Sequence, residues 1–266
     1  MSSAASTASQ PLAPGTVLGR MGPLELRLAR DDGDVAAAQR LRHRVFVTDG
    51  GATPNAPMAD RRERDRFDAA CDHLIVAHGR DVVGTYRLMT GDAASLHGHY
   101  SAAEFDVAAL VERHPDRRFV ELGRSCVHPD WRESRAIRLL WQGAWAYALR
   151  SGSDVMFGCA SFSGTDPAPH AAAFGFLARE AVVPGSWDVS PSRGAEAVTL
   201  RPHPSGGSLN LLPPLLKGYV RLGGRVASRA VIDPHFRCID VMVVLPREWI
   251  RPRYIAHFGA AADRYT

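Results

Sequence analysis

The chain has 266 residues, of which 45% are hydrophobic and 23% charged, and its formal net charge is +4. This is the composition of a folded, water-soluble protein and it excludes a disordered chain, while the absence of any apolar run near ~20 residues excludes a membrane span. The four cysteines, Cys71, Cys126, Cys159 and Cys238, are too scattered for a disulfide framework or a zinc-spaced cluster, so a reducing, cytoplasmic setting and no metal are expected.

In chain order, Met1 to Gly22 is rich in Ser, Ala, Pro and Gly, lacks the features of a signal peptide, and reads as a disordered tail ahead of one domain over 23–266. Leu24 to Leu28 alternates like a half-buried strand. A helix follows, with Asp34 as its cap and Arg42 and Phe46 one turn apart. Thr48 to Arg64 reads as a long exposed loop. His73–His78 and Val82–Met89 form a hairpin about Gly79-Arg80, and Phe119–Val127 is a further strand. The periodic run Ile137, Leu140, Trp141, Ala144, Ala148 is a helix that leads into a buried strand over Asp154–Ala160. Strand, helix and strand make a βαβ unit with parallel flanking strands. A helix over Pro169–Arg179, a Pro/Ser/Gly-rich excursion over Val189–Asn210 and a strand over Asp240–Leu245 complete an α/β fold, a mixed sheet with helices on both faces.

There is no HExxH, Walker loop, GxSxG or GxGxxG, and the arginines at 61, 62, 64 and 66 lack the aromatic platform of a nucleic-acid site. What stands out is a set of opposite charges within apolar strands: Asp65, Asp68, Arg87, Glu121 and Arg124. Any one of them is explained by a structural ion pair, but the set points to a functional site, because perturbed charges cluster there. Glu121 and Arg124 would face opposite sides of a regular strand, so a shared cleft requires a bulge, expected over Leu122–Arg124 beside Gly123.

The segments Leu41-Arg42-His43-Arg44-Val45-Phe46, Asp65-Arg66-Phe67-Asp68, Gly84-Thr85-Tyr86-Arg87-Leu88, Tyr100-Ser101-Ala102-Ala103-Glu104-Phe105-Asp106 and Glu121-Leu122-Gly123-Arg124-Ser125, with Pro213-Pro214-Leu215-Leu216-Lys217-Gly218-Tyr219, resemble the ornithine-acyl carrier protein N-acyltransferases of ornithine-lipid synthesis. That family belongs to the GNAT superfamily and shares its RxxxF, DxxD, Arg, ExxR charge pattern with acyl-homoserine lactone synthases. The resemblance implies a three-layer GNAT-like fold with a bulged central strand. It also implies transfer of a 3-hydroxy fatty acyl group from acyl carrier protein to the α-amine of ornithine, with acyl-phosphopantetheine as co-substrate, no tightly bound cofactor, and contact with the inner membrane surface as an added feature. A synthase using S-adenosylmethionine and a non-catalytic acyl-carrier or membrane-surface binding module are the alternatives; the length, the His128-Pro129 step and the full charge set weigh against them.

On this reading Glu121 is the base, its pKa raised by an apolar strand, with His73 as a second candidate, and Arg124 sits beside backbone N–H donors for the oxyanion. Arg42, Phe46, Asp65, Asp68, Asp72 and Arg87 bind substrate, with Arg87 or Arg124 as the carboxylate fork and Asp65, Asp68 or Asp72 at the ammonium end. Where acetyl-CoA enzymes carry a glycine-rich pyrophosphate turn, this chain has Arg132-Glu133-Ser134-Arg135. Arg132, Arg135 and Arg138 are therefore expected to meet a single phosphate and an acidic carrier surface.

Overall fold

A computed structural model describes residues 12–53, 59–132, 135–204 and 206–255. Its core is a nine-stranded mixed sheet in the order β1-β2-β3-β4-β5-β6-β9-β8-β7. The strands are β1 (Val17–Met21), β2 (Leu24–Leu28), β3 (Asp72–His78), β4 (Asp81–Thr90), β5 (Phe119–Val127), β6 (Val155–Ser163), β7 (Ala197–Thr199), β8 (Arg225–Asp233) and β9 (Cys238–Pro246). The helices are α1 (Asp32–Arg42), α2 (Gly91–His97), α3 (Val107–Glu112), α4 (Ala136–Arg150), α5 (Ala171–Glu180) and α6 (Pro214–Leu222).

Period-two alternation explains the layering. Leu74, Val76, Leu88 and Leu122 pack under α4 together with α5 and α6, while Ile75 and Ala77 turn to Ala38 of α1 on the opposite face. Farther along that second face, Phe105, Leu110 of α3, Phe157 and Met242 form another apolar cluster. The three-layer α/β arrangement read from the sequence is thus the one observed, and α4, apolar almost all round, is the buried crossover between β5 and β6.

Three local expectations need correction. Val17–Met21, expected within a disordered tail over 1–22, is strand β1, and residues 1–11 lie outside the described residues. The cap of α1 is Asp31, whose side chain accepts from the Asp34 N–H at 2.9 Å; Asp34 instead pairs with Arg27 and Arg30. The expected Thr48–Arg64 loop is not exposed throughout: Glu63 is buried, and residues 54–58 lie outside the described residues.

Two features of β5 position the site. It pairs with β4 as Gly123↔Arg87 and then Cys126↔Thr85, so Arg124 and Ser125 together oppose Tyr86. This is the expected bulge, one residue farther along, and Arg124 carries the left-handed backbone conformation, φ +54°. On its other side β5 pairs in parallel with β6 only over Phe119–Glu121, and beyond Glu121↔Phe157 the two strands separate. A side chain at Gly158 would stand 2.0 Å from the Leu122 carbonyl oxygen, so glycine allows the close backbone approach at which the gap begins.

Candidate active site

The buried charges form one network on the α1 face. Arg42, at the end of α1 and fully buried, grips Asp68 through both terminal nitrogens at 2.8 and 2.7 Å and meets Glu63 at 2.6 Å. Arg87 of β4 bridges Asp65 at 2.6 Å and Asp68 at 3.0 Å. Arg124, thrown onto this face by the bulge, reaches Glu63 at 3.0 Å and Asp65 at 3.4 Å, donates to the Tyr100 hydroxyl, and lies between the rings of Tyr100 and Phe236. Burial works against the charge on Asp68, but the hydrogen bonds and charge of Arg42, aided by Arg87, hold its carboxyl well below the usual range.

Glu121 shares the face with Arg124, as the bulge requires, but it is not a poised base. Its carboxylate accepts from the Tyr100 and Ser101 N–H groups at 2.8 and 2.7 Å, from the Ser101 hydroxyl, and from His99 at 3.3 Å. Burial would raise its pKa, yet the bonds from His99 and Ser101 lower it, which corrects the expected direction. Glu121 thereby anchors the 99–101 segment whose Tyr100 stacks on Arg124.

Beside this network a cavity of about 950 Å³ occupies the gap between β5 and β6 and passes through the sheet. On the α4 side Tyr86, Leu122, Leu140, Trp141 and Leu215 make it apolar; on the other side lie Tyr100, Arg124, Ser125, Phe236 and Asp240. Phe46 also lines it, edge-on to Phe236 with ring centroids 6.0 Å apart. Arg132 stands at the cavity, whereas Arg135 and Arg138 are exposed where α4 begins; Glu133 and Ser134 lie outside the described residues.

Other expected binding residues lie elsewhere. Asp65 and Asp68 are counter-ions for arginines and do not line the cavity; Arg42 and Arg87 stand behind it in the same network. Asp72 accepts a hydrogen bond from Tyr147 of α4 at 2.6 Å, on the opposite face of the sheet. His73 is buried, donates from Nε2 to the Asp68 carbonyl at 3.0 Å, and has its pKa lowered by burial, so it does not reach the cavity as a base.

Sequence reasoning passed over Glu63, hidden in a loop rich in arginine, and a carboxyl pair, Glu104 and Asp240, 136 positions apart, whose oxygens lie within 4.8 Å of each other and of the Cys159 sulfur. Burial raises both acids; the neighbouring Asp240 and Asp233 add to it at Glu104, while at Asp240 hydrogen bonds from Ser161 and Glu104 work against it. Cys159 and Cys238 beside them are held protonated by burial, a poor donor set for a cation, and no metal is assigned there.

Comparison with known proteins places these features. The acetyltransferase (GNAT) domain family matches residues 41–142. Proteins called L-ornithine N(alpha)-acyltransferase from Agrobacterium fabrum and Brucella abortus are 44% and 46% identical to the chain. The alignments cover 93% of this chain and 89% of the Agrobacterium protein, and 94% of both chains for Brucella. Among solved structures, the CoA-dependent acyl-homoserine lactone synthase BjaI superposes with a TM-score of 0.44 at 17% identity, over 88% of this chain and 82% of its own.

Proposed function

The chain belongs to the L-ornithine N(alpha)-acyltransferases, and from that membership we propose that it moves a fatty acyl group, 3-hydroxylated, from the phosphopantetheine arm of acyl carrier protein to the α-amine of L-ornithine, giving lyso-ornithine lipid. The observation that supports this reading best is the two-sided cavity. A long acyl chain is stabilised by leaving water for the apolar walls of α4 and α6, at roughly 0.8 kcal/mol per buried methylene, while a charged amino acid needs the polar half. The thioester then lies at the bulge, where the extra residue of β5 falls outside the regular ladder and its backbone can turn a donor to the developing oxyanion. Arg124, clamped by Glu63, Asp65 and two rings, is held rigidly enough to orient the amino-acid carboxylate without rearrangement.

The carrier docks at the start of α4. The positive end of a fifteen-residue helix and Arg132 suit a single phosphate, and Arg135 and Arg138 suit the acidic carrier surface around it. The product is amphiphilic, and exposed Leu211 ahead of α6, which carries Lys217 and Arg221, offers an apolar and cationic edge to an anionic membrane. Among the described residues no helix is long and apolar enough to cross a membrane.

The test is reconstitution of the purified protein with acyl carrier protein or coenzyme A bearing the same 3-hydroxyacyl group, with ornithine or S-adenosylmethionine as acceptor, read by mass spectrometry. N-acyl-ornithine from the carrier-bound donor is expected; acylation of S-adenosylmethionine, or no amide at all, overturns the reading. Reversing Arg132 and Arg135 to Glu together should raise KM for acyl carrier protein about tenfold or more and leave KM for ornithine unchanged, as loss of two interfacial charges requires.

A further inference from the structure

We propose that Asp240 is the group that takes the proton from the acceptor's ammonium, with Glu104 as the positioning residue that holds it to that task. Among the described residues, Asp34, Glu63, Asp68 and Glu121, the other buried acids, are each met by a guanidinium or by converging N–H, O–H and imidazole donors. Asp240 is 5% exposed, has no guanidinium or imidazole within ion-pairing distance among the described residues, and yet forms part of the cavity wall. Its register on β9, directly opposite Ser161 of β6, puts it one strand beyond the gap from the bulge at Arg124 and Ser125, where the proposed function seats the thioester. A buried charge without a counter-ion on a substrate cavity is costly until a cation arrives.

The surroundings fix which acid carries the shared proton. The Ser161 hydroxyl and the Cys238 thiol, its sulfur 3.6 Å away, face Asp240 and support its ionised form; Glu104 behind it is hemmed in by Asp240, Asp233 and the Cys159 thiol, with Arg124 as the nearest opposing charge. Glu104 is therefore the protonated partner, donating to Asp240, and burial leaves Asp240 more basic than an ordinary carboxylate. In the reaction the α-ammonium gives one proton to Asp240, and the freed nitrogen lone pair attacks the thioester carbon. The C–N bond forms, the C–S bond breaks, the nitrogen's second proton goes to the departing sulfur, and Asp240 returns its proton to water.

This rests on an amino acid being the acceptor, and the experiment separates the two claims. Thiol release from acyl carrier protein is followed from about pH 6.5 to 9.5 for the whole protein, Asp240→Asn and Glu104→Gln, with folding checked by circular dichroism. Asp240→Asn should lose about 100-fold in kcat/KM at neutral pH and recover to within about tenfold at the alkaline end, where the amine ionises unaided. A merely structural role would lose the same factor throughout, and that result, or a full rate at neutral pH, overturns the proposal. Glu104→Gln, whose amide donates to Asp240 more weakly than a carboxyl does, should keep the rate within about tenfold and displace the acid limb of the profile upward. Should Asp240→Asn not fold, an unmoved limb in Glu104→Gln is sufficient to overturn it. A wild type that releases thiol with another amine but not ornithine overturns the acceptor assignment alone, and the same comparison is then run with that amine.

Discussion

Single residues carry different work from what their types suggest. Glu121 looks like a base from its place in an apolar strand, but four donors converge on it, and its role is to hold Tyr100 against Arg124. Glu121→Gln turns an acceptor into a group that must meet the Ser101 N–H with an amide, leaving a buried donor or acceptor unmatched; we expect a loss of about 1–3 kcal/mol of stability by urea unfolding. The same variant should lower kcat without shifting the pH profile, since no titrating base is removed, and a shifted profile would restore Glu121 as the base. Asp65, Asp68, Arg87 and Arg124 were legible because charges within apolar runs must find partners, and Arg42 joined them through the family resemblance. Glu63 was not, because a carboxylate in an arginine-rich loop looks like ordinary solvated charge, and nothing in the local sequence says that Arg42 and Arg124 both reach it. Asp240 was hidden for the opposite reason: it opens an apolar strand and reads as a strand end until the register with Ser161 is known.

At the level of elements, the hairpin β3–β4, the crossover β5–α4–β6 and strand β9 were readable from alternation and helical period, and the bulge from the parity of Glu121 and Arg124. β1 escaped because five residues containing Gly19 and Arg20 show little apolar alternation, and β8 because Ser228 and Arg229 interrupt it where the pairing with β9 itself shifts register. The separation of β5 from β6 could not be foreseen at all, since it depends on two segments more than thirty residues apart. Its apex is Gly158, and Gly158→Ala would drive a methyl group into the Leu122 carbonyl. We expect this variant to cost about 1–3 kcal/mol, as overpacking does, and to lose transfer activity at temperatures where circular dichroism still shows it folded, because the gap itself is displaced. Unchanged activity in a folded variant would show that the gap tolerates being spread.

Across the molecule the buried acids divide into two groups of opposite sign. Asp34, Asp68 and Glu121 are held below their ordinary pKa, so their stabilisation is complete above about pH 5 and disappears as pH falls through the depressed values. Glu104 and Asp240 are raised, so their contribution is complete below about pH 4 and is lost as pH rises through the raised values. Unfolding free energy should therefore peak in mild acid and decline towards about pH 8, and urea titrations of Asp240→Asn should show that decline flattened; an equal slope in both proteins would mean that the pair does not titrate in this range. On the proposed function donor and acceptor would enter the cavity that pierces the sheet from opposite faces, so that neither blocks the other and both orders of addition are open, but the product would join the two halves into one molecule threaded through the gap. Its head group must be drawn back through the constriction, or its tail through the polar side, before the next turnover. Release of the lyso-lipid is then expected to be slower than the acyl transfer that makes it, and vesicles that accept the tail should raise kcat.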